Sequence, residues 1–130
     1  MNNDVRNKDR DRLTGAVIGC AIEVHRAMGP GLLETVYETC LAHEFGLRNV
    51  PFERQVHLPL IYKGCHLRST FRLDFLVDRE LIIELKAVDR LLPVHAAQLL
   101  SYMRLSGVRK GLLLNFNTDV LRDGIKRLVL

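Results

Sequence analysis

Two apolar, strand-forming segments joined by a tight turn, residues 71–86, constrain this chain more than any other stretch. They read Phe71-Arg72-Leu73-Asp74-Phe75-Leu76-Val77, then Asp78-Arg79-Glu80, then Leu81-Ile82-Ile83-Glu84-Leu85-Lys86. β-Branched and aromatic residues favour extended backbone, and the short polar centre reads as a turn. Three charges, Asp74, Glu84 and Lys86, lie inside this apolar sequence. A charge in such a place is costly to desolvate unless it is paired or binds a metal.

Side chains alternate faces along a strand, so loop length decides which charges meet. A two-residue turn at Asp78-Arg79 would pair Val77 with Glu80 and Asp74 with Ile83. Glu84 would then point away from Asp74. A three-residue loop, Asp78-Arg79-Glu80, or a bulge of the same effect, pairs Val77 with Leu81 and Asp74 with Glu84. Carboxylates opposed in that way have Cβ atoms about 5 Å apart and repel. A Mg²⁺ between them would remove the repulsion and use oxygens of both. It could polarise a phosphoryl oxygen and activate a bound water, the chemistry of phosphodiester cleavage. Lys86, two residues beyond Glu84 on the same face, could hold that water or stabilise developing charge. The other reading is an exposed edge hairpin with Lys86 salt-bridged to a carboxylate. The trio alone fits both, because this spacing is common by chance.

The remaining pattern surrounds this hairpin with helices. Residues 13–28 read as a helix with Leu13, Ala16, Val17, Cys20, Val24, Ala27 and Met28 on one stripe. Ile18 and Ile22 lie off that stripe and suggest burial on two sides. Gly15 and Gly19 weaken the helix unless they permit close packing. Gly29-Pro30-Gly31 ends it. A second helix is expected over 32–47, with Leu33, Val36, Tyr37, Cys40, Leu41 and Phe45 inward and Gly46 or Asn49 at its end. Residues 52–62 read as a strand, which Pro59 places at a sheet edge. Strands follow over 66–77 and 80–88. Pro93 opens a helix that Gly107 stops after Ser106. The apolar run 110–116 reads as an interior strand buried on both faces. Residues 124–130 are one more short strand or a helical turn. The expected fold is a mixed α/β domain with a partly antiparallel sheet over 13–130, preceded by a polar, partly flexible segment, 1–12.

With 130 residues, 48% of them hydrophobic, the chain can bury one real core. A net charge of +4 is compatible with a nucleic-acid partner without demanding one. The longest uncharged stretch near the start, 13–22, is well short of the ~20 apolar residues of a membrane span. The polar beginning does not read as a signal peptide. Cys20, Cys40 and Cys65 form neither a zinc pattern nor a disulfide framework, which points to reduced thiols in the cytoplasm.

Two helices add polar groups. His95, Gln98 and Tyr102 share one arc bordering the core stripe of Ala96, Leu99, Leu100 and Met103. Gln98 and Tyr102 there could hydrogen-bond a phosphate or orient a lysine, or simply form a polar margin. Glu34 and Glu38 flank the second helix's apolar face. The helix dipole favours Glu34 in the first turn. Glu38 is harder to explain, and could reach a metal or its water shell. His25 reads as structural.

The segment Gly31-Leu32-Leu33-Glu34-Thr35-Val36-Tyr37-Glu38 resembles the signature of the GxxExxY protein family. The likeness extends through Glu23-Val24-His25-Arg26, Gly29-Pro30-Gly31, Pro51-Phe52-Glu53-Arg54-Gln55, Tyr62-Lys63-Gly64, Asp74, Ile83-Glu84-Leu85-Lys86, His95-Ala96-Ala97-Gln98 with Tyr102, and Gly111 to Phe116. That family is grouped with the PD-(D/E)XK nuclease superfamily, so the resemblance implies its core, a mixed central sheet flanked by helices. A helix carrying Gln98 and Tyr102 after the Glu84-Leu85-Lys86 strand is similar to the superfamily's exonuclease branch. The resemblance implies Asp74 and Glu84 as ligands of Mg²⁺ or Mn²⁺, the Leu85 carbonyl as a further ligand, and Lys86 as the catalytic lysine. Gln98 and Tyr102 would support substrate or lysine, and Glu38 would be the branch's helix-borne acid. Leu73 stands where the superfamily's proline would precede Asp74. The implied activity is metal-dependent phosphodiester hydrolysis, on DNA rather than RNA. The alternative is a non-catalytic nucleic-acid-binding or protein-interaction module. Ile18 and Ile22 offer a face that a homodimer could use.

Overall fold

The structure, a computed structural model, describes the backbone of residues 2–130 and the side chains from Arg12 onward. Helix α1 (Asn2–Met28) and helix α2 (Glu34–Leu47) lead into strand β1 (Phe52–His57). A small hairpin follows, β2 (Leu60–Tyr62) and β3 (Cys65–Leu67). Then come β4 (Arg72–Val77), β5 (Leu81–Lys86), α3 (Pro93–Ser106), β6 (Lys110–Asn115), a 3₁₀ turn at Leu121–Gly124 and β7 (Ile125–Val129). The main sheet has five strands in the order β1-β4-β5-β6-β7. Only β5 and β6 are parallel. They are joined through α3, since parallel neighbours need a crossover.

The sheet is covered on both faces. On one, Phe75, Ile83, Leu85 and Leu114 meet Val17, Cys20, Tyr37 and Phe45 from α1 and α2. On the other, Ile82 and Leu113 meet Leu99, Tyr102 and Met103 from α3. β6 is therefore interior and buried on both sides, as its continuous apolar run implies. β1 is an edge strand, in keeping with Pro59 just beyond its end. Among the described residues no helix is long and apolar enough to cross a membrane. The three thiols are free.

The expected elements differ from the observed ones in four ways. α1 begins well before residue 13. The flexible segment expected over 1–12 falls almost wholly outside the residues with described side chains. The buried stripe of α1 is rotated: Ala21 and His25 are buried, whereas Ala16, Ala27 and Met28 are exposed. Ile18 is half-buried against the core and Ile22 is exposed. On α2, Leu33 precedes the helix and is 75% exposed. The strand expected over 52–62 is broken around Leu58-Pro59, and that over 66–77 is broken before Arg72. Proline cannot donate to a ladder, so the chain leaves the main sheet there and forms β2–β3 instead. The end of the chain contains both readings, a 3₁₀ turn followed by a strand.

Two glycines carry opposite expectations. A Cβ on Gly124 would lie 2.2 Å from the Asn115 carbonyl oxygen, a backbone atom that cannot swing aside. Gly124→Ala is expected to cost about 3 kcal/mol, read as a lower midpoint in urea. Gly15 is exposed inside α1 with nothing within 4 Å of a built Cβ, so close packing is not its role. Gly15→Ala is expected to stabilise by up to about 1 kcal/mol in the same titration.

Candidate active site

The hairpin between β4 and β5 has the register that opposes the two carboxylates. Val77 pairs with Leu81, Leu76 with Ile82 and Phe75 with Ile83, so Asp74 falls opposite Glu84. The loop achieves this with two left-handed residues, Asp78 at φ 50° and Arg79 at φ 55°. The Glu80 N–H donates to the Val77 carbonyl at 3.0 Å. Glu80 is the extra residue that keeps the register odd.

Beyond Phe75 the ladder gives way to side chains. The Leu85 N–H donates to Asp74 Oδ2 at 2.7 Å, and the Asp74 N–H donates to Glu84 Oε1 at 3.2 Å. Each carboxylate thus takes a backbone donor that a continued sheet would have used. The Asp74 N–H is available because β1 also lapses beside it. Arg54 pairs with Phe75 and Val56 with Leu73, while Gln55 between them has φ 51° and is left out. A non-glycine residue in that conformation costs about 1–2 kcal/mol. Backbone groups alternate sides along a strand, so the Leu85 carbonyl faces the same opening as its N–H.

The electrostatics are those of two like charges with little water. Glu84 is 6% exposed and Asp74 half-buried. Burial, then the Asp74 charge, push the Glu84 carboxyl up to about 9. Burial also raises Asp74, opposed by the Leu85 N–H and by a hydrogen bond shared with Glu84. Both carboxyls are therefore raised, and the pair holds a proton more tightly than either group would in water. Lys86 is half-buried, and its charge acts on Asp74, Glu84 and Glu34. It forms no ion pair with a described residue, so the salt-bridged surface hairpin is not what the chain builds.

Glu34, Thr35, Glu38 and Gln55 line a cleft of about 90 Å³ with Asp74 and Leu85. Partial burial raises the Glu34 carboxyl, with the Lys86 charge opposing and the Asp74 charge adding. Glu38 is held by Arg54 at 2.9 Å and accepts a hydrogen bond from Gln55 Nε2. Arg54 and Gln55 were not among the site residues read from the pattern. An Arg-Gln pair on an edge strand carries no signal until β1 is placed beside α2.

From the other face of the sheet, α3 presents Tyr102 and Gln98. Gln98 Nε2 donates to the Tyr102 hydroxyl at 3.1 Å. Burial raises the Tyr102 phenol, and the Glu84 and Asp74 charges also act on it. Tyr102 is buried and Gln98 exposed. His95 is occupied at the start of α3, where Nδ1 accepts the Leu92 N–H at 2.9 Å. His25 is structural: its Nε2 lies 2.7 Å from the Thr118 carbonyl, so that nitrogen donates. Tyr37 is structural as well. Its hydroxyl donates to the Gly29 carbonyl at 2.6 Å, accepts the Leu32 N–H at 3.1 Å, and its ring stacks on Phe116.

Among the described residues no group of three or more His, Cys, Asp or Glu side chains is arranged to hold a metal ion. The fit therefore rests on Asp74, Glu84 and a carbonyl. Each carboxylate keeps one oxygen beyond its backbone bond, and all three donors are hard oxygens suited to Mg²⁺ or Mn²⁺. Two buried carboxylates that cannot both ionise alone are the observation a divalent cation answers.

A mixed sheet that opens between β4 and β5 and gathers two carboxylates and a lysine at the gap makes this a mixed α/β domain with an acidic site at its centre. Residues 11–128 match the family described as the PD-(D/E)XK nuclease superfamily, and the chain belongs to that superfamily. Comparison with curated proteins and with solved structures returned no match.

Proposed function

We propose that this protein is a metal-dependent nuclease that hydrolyses phosphodiester bonds, in DNA rather than RNA, and that it belongs to the GxxExxY branch of its superfamily. The observation that supports this most is the opposed pair Asp74 and Glu84, with Lys86, which forms no ion pair with a described residue, acting on both. Asp74, Glu84 and the Leu85 carbonyl would hold the cation, Mg²⁺ or Mn²⁺. When bound, it would supply Lewis acidity to a phosphoryl oxygen and lower the pKa of a coordinated water. Lys86 donates hydrogen bonds toward the attacking water or the phosphoryl oxygens. Tyr102, steadied by Gln98, limits water on the α3 side and offers a hydroxyl to the substrate. Glu38 acts from α2 on the metal's water shell, in an orientation held by Arg54 and Gln55.

The rival reading is a nucleic-acid-binding or protein-interaction module without turnover. Glu38's engagement by Arg54 favours it, because that ion pair occupies one of the carboxylates lining the cleft. The proposal extends to one working domain over 13–130 in the cytoplasm. A homodimer could use the groove where Ile18 and Ile22 meet Ile125.

The deciding experiment is a cleavage panel of single-stranded, duplex and branched DNA and RNA, with Mg²⁺, Mn²⁺ or EDTA. Metal-dependent cleavage that disappears in Asp74→Ala is the expected result. Binding without cleavage on every substrate, unchanged in that variant, would establish the rival.

A further inference from the structure

The β2–β3 hairpin buries neither of its faces. Its residues are exposed apart from Leu60, which is half-buried. Two-stranded hairpins of this kind are marginal in water on their own. Nevertheless Ile61, Tyr62 and Leu67 are 56%, 60% and 49% exposed. Tyr62 pairs with Cys65 and Leu60 with Leu67, so Tyr62 and Leu67 share one face. Lys63 Nζ lies 5.5 Å from the centre of the Tyr62 ring.

Along the chain, the charge flanking this apolar tip has one sign. Between Glu53 and Asp74 there is no acidic residue, whereas Lys63, Arg68 and Arg72 are present. None of those three forms an ion pair with a described residue. The hairpin is also tied to the candidate active site. It leaves β1 after His57 and returns at Arg72, two residues before Asp74. The Leu58 N–H closes its base on the Phe71 carbonyl at 2.9 Å. The Phe71 and Tyr102 rings are 5.9 Å apart.

We propose that the β2–β3 hairpin is a nucleic-acid-binding element that receives an unpaired strand, with a base stacked on Tyr62 and phosphates held by Lys63, Arg68 and Arg72. An exposed aromatic among unpaired cations is how strands without base pairing are bound, since every base has a π-face and every linkage a charge. A duplex conceals its base faces and would use only the cations. The substrate class rests on the nuclease reading; binding itself does not require turnover.

The chain contains no tryptophan, so Tyr62→Trp introduces a single reporter. Its emission should fall on addition of a single-stranded oligonucleotide in EDTA. By fluorescence anisotropy, Tyr62→Ala should weaken single-strand binding about ten-fold, and Tyr62→Phe should retain it. Blunt duplex binding should change less than about three-fold in Tyr62→Ala. Arg68→Ala should lower the salt dependence by about one phosphate contact. Thermal melting of each variant should match the parent, since Tyr62 and Arg68 are exposed. The proposal is overturned if the parent shows no single-strand binding, or if Tyr62→Ala weakens single strand and duplex equally. A dimer that Tyr62→Ala dissociates while single-strand binding stays unchanged would overturn it too, by assigning the hairpin to a second copy. Binding by the parent in EDTA separates this from the nuclease reading, because single-strand binding through the hairpin is expected whether or not the parent cleaves in Mg²⁺.

Discussion

Glu84→Gln is expected to abolish cleavage while making the metal-free protein more stable. The amide oxygen of glutamine can still accept the Asp74 N–H, which reaches Glu84 Oε1 at 3.2 Å. Its NH₂ can donate to the Asp74 carboxylate, so the buried site stays satisfied. What disappears is a carboxyl that the fold keeps protonated against its ordinary tendency to ionise. In the unfolded chain Glu84 ionises near the ordinary glutamate value of 4.5, whereas in the fold it does so at about 9. Between those values the folded state holds a proton that the unfolded state has lost. Stability from this group is therefore full below the lower value and declines as pH rises toward the upper one. At about pH 8 in EDTA the variant should be more stable than the parent by roughly 2 kcal/mol, with the difference vanishing toward pH 4. Cleavage in Mg²⁺ should fall by about 10³-fold or more, since an amide cannot replace the anionic ligand. Denaturant titrations across pH, paired with single-turnover rates, measure both. A variant less stable at every pH would remove the argument that two like charges are confined here.

Lys86→Ala should lower the cleavage rate by about 10²–10³-fold, with little effect on metal affinity. Lys86 has no carboxylate partner within ion-pair distance among the described residues, so its removal leaves no anion newly unpaired by contact. Its charge does act on Asp74 and Glu84. Without it both carboxyls should hold protons slightly more tightly, and the metal-free stability loss, which still begins near the ordinary carboxylate range, should extend to higher pH. Rates with saturating Mn²⁺ separate the two effects. A rate restored by metal alone would place Lys86 in metal binding rather than with the water or the phosphoryl oxygens.

Much of the hairpin was legible because loop length and alternation are local. Counting Asp78, Arg79 and Glu80 as the loop puts Val77 against Leu81 and Glu84 against Asp74, and that is the register formed. α3 was legible for the same reason. Pro93 supplies a first-turn residue without a needed donor, and Gly107 takes φ 75° at the end. The apolar stripe of α1 was less legible, because helical spacing limits which residues share a face but not which face the sheet covers. Leu33 and Met28 satisfied the spacing and remained outside. Pro59 marked an edge strand but not the departure of a separate hairpin, which depends on where β4 begins to pair.

Local chemistry, acting over a few residues, was enough to set the order of the three helices and of β1, β4, β5 and β6, the double burial of β6 and the presence of Asp74, Glu84 and Lys86 on one strand pair. Three-dimensional packing settled the rest. It separated β4 from β5 so that each carboxylate takes a backbone N–H, placed Gln55 in a left-handed conformation beside Asp74, and delivered Arg54 to Glu38. Helical and strand spacing carry no signal for these arrangements: the first lies within one hairpin, and the Arg54–Glu38 pair joins a strand to a helix. The Arg54–Glu38 pair exists because α2 packs on the sheet to which the edge strand β1 belongs.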